Sequence, residues 1–143
     1  MRIVCALGGN ALLRRGERRD ADVQRANTAG AVRALAPLAE GNELVVTHGN
    51  GPQVGFILLR SELVGDSAPV PQLSLEMSSA DSQGGIGHIL TMALLNELAA
   101  RGLPDRVAYV LTHTVVDQGD PAFDQPTKPI GPFYTEAQAA TRR

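Results

Sequence analysis

Tryptophan is absent from this 143-residue chain, and its only aromatics are two tyrosines and three phenylalanines. So few rings offer no series of stacking platforms for nucleobases. Basic residues are also scarce, with 13 Lys and Arg against 15 Asp and Glu, a net charge of −2. No basic tail or stripe stands out, which excludes a nucleic-acid partner at the level of composition. There is one cysteine, Cys5, so no internal disulfide forms; it sits in an apolar run and reads as a small buried hydrophobe. No apolar run is long enough for a membrane span or a signal-peptide core. The expectation is a soluble, cytoplasmic protein without a membrane partner. Three histidines, His48, His88 and His113, lack partners at ligand spacing, so a metal cage of protein ligands is not expected. The dinucleotide fingerprint G-x-G-x-x-G, the phosphate loop G-x-x-x-x-G-K-[ST] and the G-x-S-x-G elbow are all missing.

What is present reads as one α/β domain. A chain of this length buries about 70% of the surface it exposes when unfolded. Ile3 to Leu7, Glu43 to Thr47 and Arg106 to Leu111 are short, apolar and rich in β-branched residues, the signature of buried parallel strands. Between the first two, Val23, Ala26, Gly30, Ala34 and Leu38 recur at helical spacing. Asp20 or Asp22 is available as N-cap, Pro37 shortens the last turn and Gly41 suits the C-terminal end. A second helix opens at Pro52 and carries Val54, Ile57 and Leu58 on one face. Gly65 to Gln72 reads as loop. A long helix from Ser78 to Arg101 opens on Ser78-Ser79-Ala80-Asp81, a capping-box pattern, and ends at Gly102 and Pro104. Residues 117–134 are rich in Pro, Gly, Asp and Thr and form an ordered excursion with turns, Asp117, Asp120 and Asp124 being turn formers. From Thr135 onward the chain is polar and Ala-rich with no closing strand, as if the domain continued elsewhere. Strands alternating with helices imply a mainly parallel sheet with right-handed crossovers.

Two glycine turns carry the chemistry. Gly8-Gly9-Asn10-Ala11 follows the first strand, and His48-Gly49-Asn50-Gly51 follows the second. Ligands of open parallel sheets collect at the carboxyl ends of strands, so both turns fall on one edge. Glycine lets backbone N–H groups approach an anion, and the helix after Gly51 adds its positive end. Asn10 and Asn50 can each add an amide donor. The pattern fits a phosphoryl or carboxylate ligand; each turn is equally readable as a turn alone. His48 is open to two readings, a general base or a member of the turn's backbone. Gln83 either faces the same pocket, or its neighbour Gly84 serves close helix packing. Lys128 is the only lysine, held in Pro126-Thr127-Lys128-Pro129 where prolines stiffen the backbone. Its ammonium is a compact charge suited to a phosphoryl oxygen, the alternative being a solvated loop lysine.

Four blocks resemble the carbamate kinases. They are Val4 to Leu13, Val45 to Gly55, Ser82-Gln83-Gly84 with Ile86-Gly87, and Asp120 to Phe123 continuing through Pro126 to Tyr134. The last is the most specific, and the resemblance runs from residue 1 to about 135. It implies a three-layer α/β/α sandwich with a mainly parallel sheet, the amino-acid kinase fold. It also implies reversible phosphoryl transfer between ATP and carbamate, giving ADP and carbamoyl phosphate, in arginine catabolism. By resemblance, Gly8, Gly9, Asn10, His48, Gly49, Asn50, Gly51 and Gln83 bind carbamate and the transferring phosphoryl group, and Lys128 is catalytic. The nucleotide is ATP or ADP with Mg²⁺, which arrives with it, and the protein is a homodimer in which the Ser78–Arg101 helix takes part. Such kinases are about twice this long, so residues 1–143 correspond to the N-terminal carbamate- and phosphoryl-binding domain, with residues 115–134 protruding and the nucleotide-binding half absent. Gly85, His88 and His113 stand where other residues are expected. The alternative is a non-catalytic anion-binding or dimerising module derived from such a kinase.

Overall fold

A computed structural model describes residues 1–14, 16–18, 20–64, 69–131 and 133–140. The first two apolar runs form β1 (Arg2–Leu7) and β2 (Glu43–His48), paired in parallel from Arg2 opposite Glu43 to Leu7 opposite His48. Side chains alternate across the pleat. Ile3, Cys5, Leu7, Leu44, Val46 and His48 are half-buried on one face. On the other, Val4 and Val45 are 64% and 41% exposed. Cys5 is therefore less buried than its apolar run suggests.

Helices cover the first face. A single turn, α1 (Gly9–Leu12), follows β1, and α2 (Ala21–Leu35) follows the charged loop. Asp20 is the α2 cap: its side chain accepts a 2.9 Å bond from the Val23 amide. Pro37 closes the helix into a 3-10 turn over Ala36–Ala39, and Gly41 takes the left-handed conformation (φ +68°) that reverses the chain into β2. The remaining helices are α3 (Gly51–Val64), α4 (Leu75–Ala100) and the short α5 (Glu136–Ala140). The bond from Val23, then the nearby Arg18, holds the Asp20 carboxyl below its usual range. A carboxylate depressed in the folded state adds stability above its unfolded pKa of about 3.9 and loses it as pH falls through the folded value. Asp20→Asn keeps the cap without the charge. Melting temperature should therefore fall less steeply in this variant than in the wild type between about pH 5 and pH 3. Equal slopes would remove Asp20 from the acid response.

The long helix starts earlier than its sequence pattern suggests. Ser74, not Ser78, caps α4, accepting a 3.2 Å bond from the Met77 amide. The chain is fixed just before it, where Ser61 of α3 accepts 2.7 Å from the Leu73 amide. Ser78 lies fully buried inside the helix. The buried positions of α4 include Ser78, Ser82, Ile86, Leu90, Leu94 and Leu98, one ridge at every fourth residue. Its N-terminal end is polar and meets the strand-end turns. Its C-terminal end is apolar, and Leu90 and Leu94 join Leu12, Val32 and Ile86 in the core, with Leu7, Ala93 and Val107 packed around them. Gly102 (φ +66°) ends the helix, with the Leu103 amide donating to Leu98 at 3.0 Å.

Arg106 to Leu111, expected as a third strand, is extended but outside the sheet; among the described residues the sheet has two strands. Side chains hold the segment where it is. The Thr112 amide donates to Gln83 Oε1 at 3.3 Å instead of joining a ladder, and the Tyr109 ring is seated between His48 and α4. A cavity of about 390 Å³ separates it from β2, with Leu44, Val46, Leu94 and Val107 on its walls. The excursion that follows is exposed, and its turns are those expected. Asp117 accepts from the Gly119 amide at 2.9 Å, and Asp120 from the Ala122 amide at 2.8 Å, opening a 3-10 turn at Pro121–Phe123. Of the expected loop at Gly65 to Gln72, residues 65–68 lie outside the described residues, as do Pro132 of the fourth block and residues 141–143 of the tail.

Candidate functional site

Register brings the two glycine turns together. Leu7 and His48 are the last paired residues, and the Gly49 amide donates back to the Leu7 carbonyl at 2.9 Å. The chain after β1 then curls into α1, whose Ala11 amide donates to Gly8 at 2.9 Å. The two turns touch through their glycines. A Cβ on Gly9 would stand 2.8 Å from Pro52 Cδ and 3.7 Å from the Gly51 nitrogen. One on Gly49 would stand 3.5 Å from the Gly9 nitrogen. A side chain at Gly9 would collide with the Pro52 ring, whereas one at Gly49 would make ordinary contact, so Gly9 serves the packing of the first turn on α3 as well as any ligand.

Asn50 ties the second turn to α4. Its Nδ2 donates to Ser82 Oγ at 2.7 Å and to Ser79 Oγ at 3.2 Å, and Ser82 Oγ in turn donates to the Ser79 carbonyl at 2.6 Å. Its backbone carbonyl accepts the Val54 amide at 2.9 Å in the first turn of α3. The side chain thus anchors the turn, whereas Asn10 is exposed beside Gly8.

His48 closes the end of β2. Its Nδ1 is 3.2 Å from the Gly49 carbonyl and its Nε2 is 3.1 Å from the Tyr109 hydroxyl. The two rings stack at 5.9 Å between centroids, 19° apart. Behind Tyr109 lies Gly87, where a Cβ would fall 2.6 Å from the ring. Burial pushes the Tyr109 phenol above its ordinary pKa, so it stays protonated through neutral pH. A cavity of about 290 Å³ opens at the strand ends, walled by His48, Asn50, Ser79, Gln83, Tyr109 and Thr112.

The structure therefore gathers Gly9, His48, Gly49, Asn50, Gly51 and Gln83 around the strand ends, with Gly8 as the cap of α1. Lys128 is not on that cavity's walls. It is exposed and makes no ion pair among the described residues. Its segment is docked nearby: Gly131 (φ +93°) lies so close to Gly55 of α3 that a Cβ there would be 2.9 Å from the Gly131 Cα. His88 is exposed on α4 and His113 on the segment that follows Tyr109. Among the described residues no cluster of three or more His, Cys, Asp or Glu could hold a metal ion. No helix is long and apolar enough to cross a membrane among the same residues.

Tyr109, Ser79 and Ser82 join the site although the sequence alone does not mark them as site residues. Ser79 and Ser82 stand three apart, one helical turn, beside the glycines of α4, which is the signal that a polar helix end faces a turn. Tyr109 carries no such signal, because its partner is 61 positions away.

The sequence model of the amino acid kinase family matches residues 1–128. The carbamate kinase of Pyrococcus furiosus is 45% identical over 139 residues, which are 96% of this chain and 44% of that protein. The structure of a Giardia carbamate kinase superposes with a TM-score of 0.86 at 40% identity, covering 95% of this chain and 45% of that one. A second, the carbamate kinase from Giardia lamblia bound to AMP-PNP, gives 0.84 at 40% identity over 98% and 44%. The chain thus spans less than half the length of the relatives it matches.

Proposed function

The chain belongs to the amino acid kinase family, and from that premise we propose that it is the carbamate- and phosphoryl-binding domain of a carbamate kinase. The reaction is ATP plus carbamate to ADP plus carbamoyl phosphate, reversibly, in arginine catabolism. A carbamate oxygen attacks the γ-phosphorus, the bond to the ADP oxygen breaks, and no proton need be taken from the nucleophile. Such a transfer needs positioning and neutralisation of charge more than covalent help. In this reading the amides of Gly8, Gly9, Asn10, Asn50 and Gly51 face the phosphoryl oxygens, while the Gly49 amide stays on the Leu7 carbonyl and holds the second turn in place, with His48 and Gln83 shaping the wall. The Lys128 ammonium reaches the same oxygens from the segment docked on α3. Mg²⁺ would arrive with the nucleotide and supply further neutralisation of phosphate charge. The remaining nucleotide site lies outside residues 1–143, and the working enzyme is a cytoplasmic homodimer.

The observation that carries this reading is the contact between the two glycine turns, 2.8 Å from a Gly9 Cβ to Pro52, at the ends of paired parallel strands. The test is carbamoyl phosphate binding by ³¹P NMR, followed by ATP formation from ADP once the C-terminal half of a carbamate kinase is supplied. Lys128→Met should weaken binding by about 10- to 100-fold, one charge-assisted contact. Absence of carbamoyl phosphate binding by the wild-type chain would end the proposal. The second reading is an anion-binding or dimerising module. It predicts binding with no ATP formed.

A further inference from the structure

His48 hydrogen-bonds at both ring nitrogens, and the two partners differ in kind. The Gly49 carbonyl, 3.2 Å from Nδ1, can only accept. Nδ1 must therefore carry the proton. In a neutral imidazole Nε2 is then an acceptor, and the partner 3.1 Å away is the Tyr109 hydroxyl, which can donate. The Tyr109 ring is itself held on two sides. It lies flat against the imidazole at 19° and presses on Gly87, where no Cβ would fit.

We propose that Tyr109 is a positioning residue which, braced on Gly87, holds His48 as the Nδ1–H tautomer, closing Nε2 to proton transfer and fixing the Gly49 carbonyl. The inference deepens the kinase reading and depends on it only for the link to carbamoyl phosphate. The Gly49 peptide joins β2 to the second glycine turn. With its carbonyl tied to Nδ1, the plane of that peptide is set, and so is the direction of the following Asn50 amide. His48 then acts as a strut of the anion cradle and not as a general base. The phenol suits this role, since a tyrosine hydroxyl is protonated and a donor near neutral pH, and partial burial raises its pKa further.

The test is ¹⁵N NMR of the His48 imidazole in the full chain near neutral pH, assigned by loss of its signals in His48→Gln. The wild type should show a protonated Nδ1 and a bare Nε2. Tyr109→Phe preserves the ring and its stacking and removes only the hydroxyl, so the tautomer should shift toward Nε2–H. Gly87→Ala, which displaces the ring while leaving the hydroxyl, should produce the same shift. Carbamoyl phosphate affinity should fall about fivefold in Tyr109→Phe, the worth of one neutral hydrogen bond. A wild-type Nε2–H tautomer, or an unchanged tautomer in both variants, overturns the inference. An altered tautomer with unchanged affinity overturns the positioning role. If the tautomer shifts as expected but the wild type binds no carbamoyl phosphate, the Tyr109 strut stands and the kinase reading is what fails.

Discussion

Gly9→Val should abolish carbamoyl phosphate binding while leaving most of the fold in place. The first atom added would stand 2.8 Å from Pro52 Cδ, closer than carbon atoms approach, and valine adds two methyls beyond it. A flexible neighbour could swing aside, but a proline ring cannot, and the Gly51 nitrogen lies just behind it at 3.7 Å. The turns must therefore separate. Overpacking of this kind costs about 1–3 kcal/mol. The strand pair and the core around Val32 and Leu90 lie away from the contact, so far-ultraviolet circular dichroism should be nearly unchanged. Binding suffers more, because an anion held by both turns loses the donors of one. Two charge-assisted bonds at about 1.5 kcal/mol each amount to about 3 kcal/mol, at least a hundredfold in affinity. Gly30→Ala is the control. It lies in α2, and a Cβ there meets nothing within 4 Å. It should stabilise by up to about 1 kcal/mol through helix propensity and leave binding unchanged. Titration by ³¹P NMR beside thermal melting reads both quantities. Affinity for Gly9→Val within about threefold of wild type would separate the turns' packing from their proposed work.

Both glycine turns, both paired strands, the Asp20 cap and the helix opening at Pro52 were legible because each is a local property. A β-branched run, a cap and a glycine at a reversal are decided within a few residues. The start of α4 was misplaced for a physical reason. Ser78 carries the capping-box pattern and Ser74 does not, yet the grip of Ser61 on the Leu73 amide fixes the chain one turn earlier, so the helix opens at Ser74. The third strand was misjudged for a related one. Arg106 to Leu111 has the composition of a buried strand, yet pairing needs a neighbour in register, and the side chains of Gln83 and His48 engage the Thr112 amide and the Tyr109 hydroxyl instead. Asn50 shows the limit within the site itself. An asparagine after a strand reads as a donor toward a ligand, whereas here its Nδ2 is engaged by two serines of α4. Residue types marked where the site is, and distant partners decided what each side chain does there.

Gly55→Val should uncouple the Lys128 segment from the domain and bring carbamoyl phosphate affinity down to that of Lys128→Met. Gly55 is buried in α3, and the atom opposite its missing Cβ is the Gly131 Cα at 2.9 Å, with the Gly131 nitrogen at 3.2 Å. Both are backbone, so the contact cannot be relieved by a rotamer change. Two effects compete. Replacing a helix-internal glycine contributes up to about 1 kcal/mol for alanine and less for β-branched valine. Overpacking costs about 1–3 kcal/mol. The segment from 126 to 131 is exposed along its length, so undocking it sacrifices little buried surface and is the cheaper response. Backbone ¹⁵N order parameters at Thr127, Lys128, Ile130 and Gly131 should therefore fall in Gly55→Val, with α2 and α4 unaffected. If Lys128 works through this docking, combining Gly55→Val with Lys128→Met should cost no more in carbamoyl phosphate affinity than either change alone, because one interaction cannot be lost twice. Additive losses would mean that Lys128 acts independently of where its segment is held. Unchanged order parameters in Gly55→Val would mean that Gly131 yields without leaving α3.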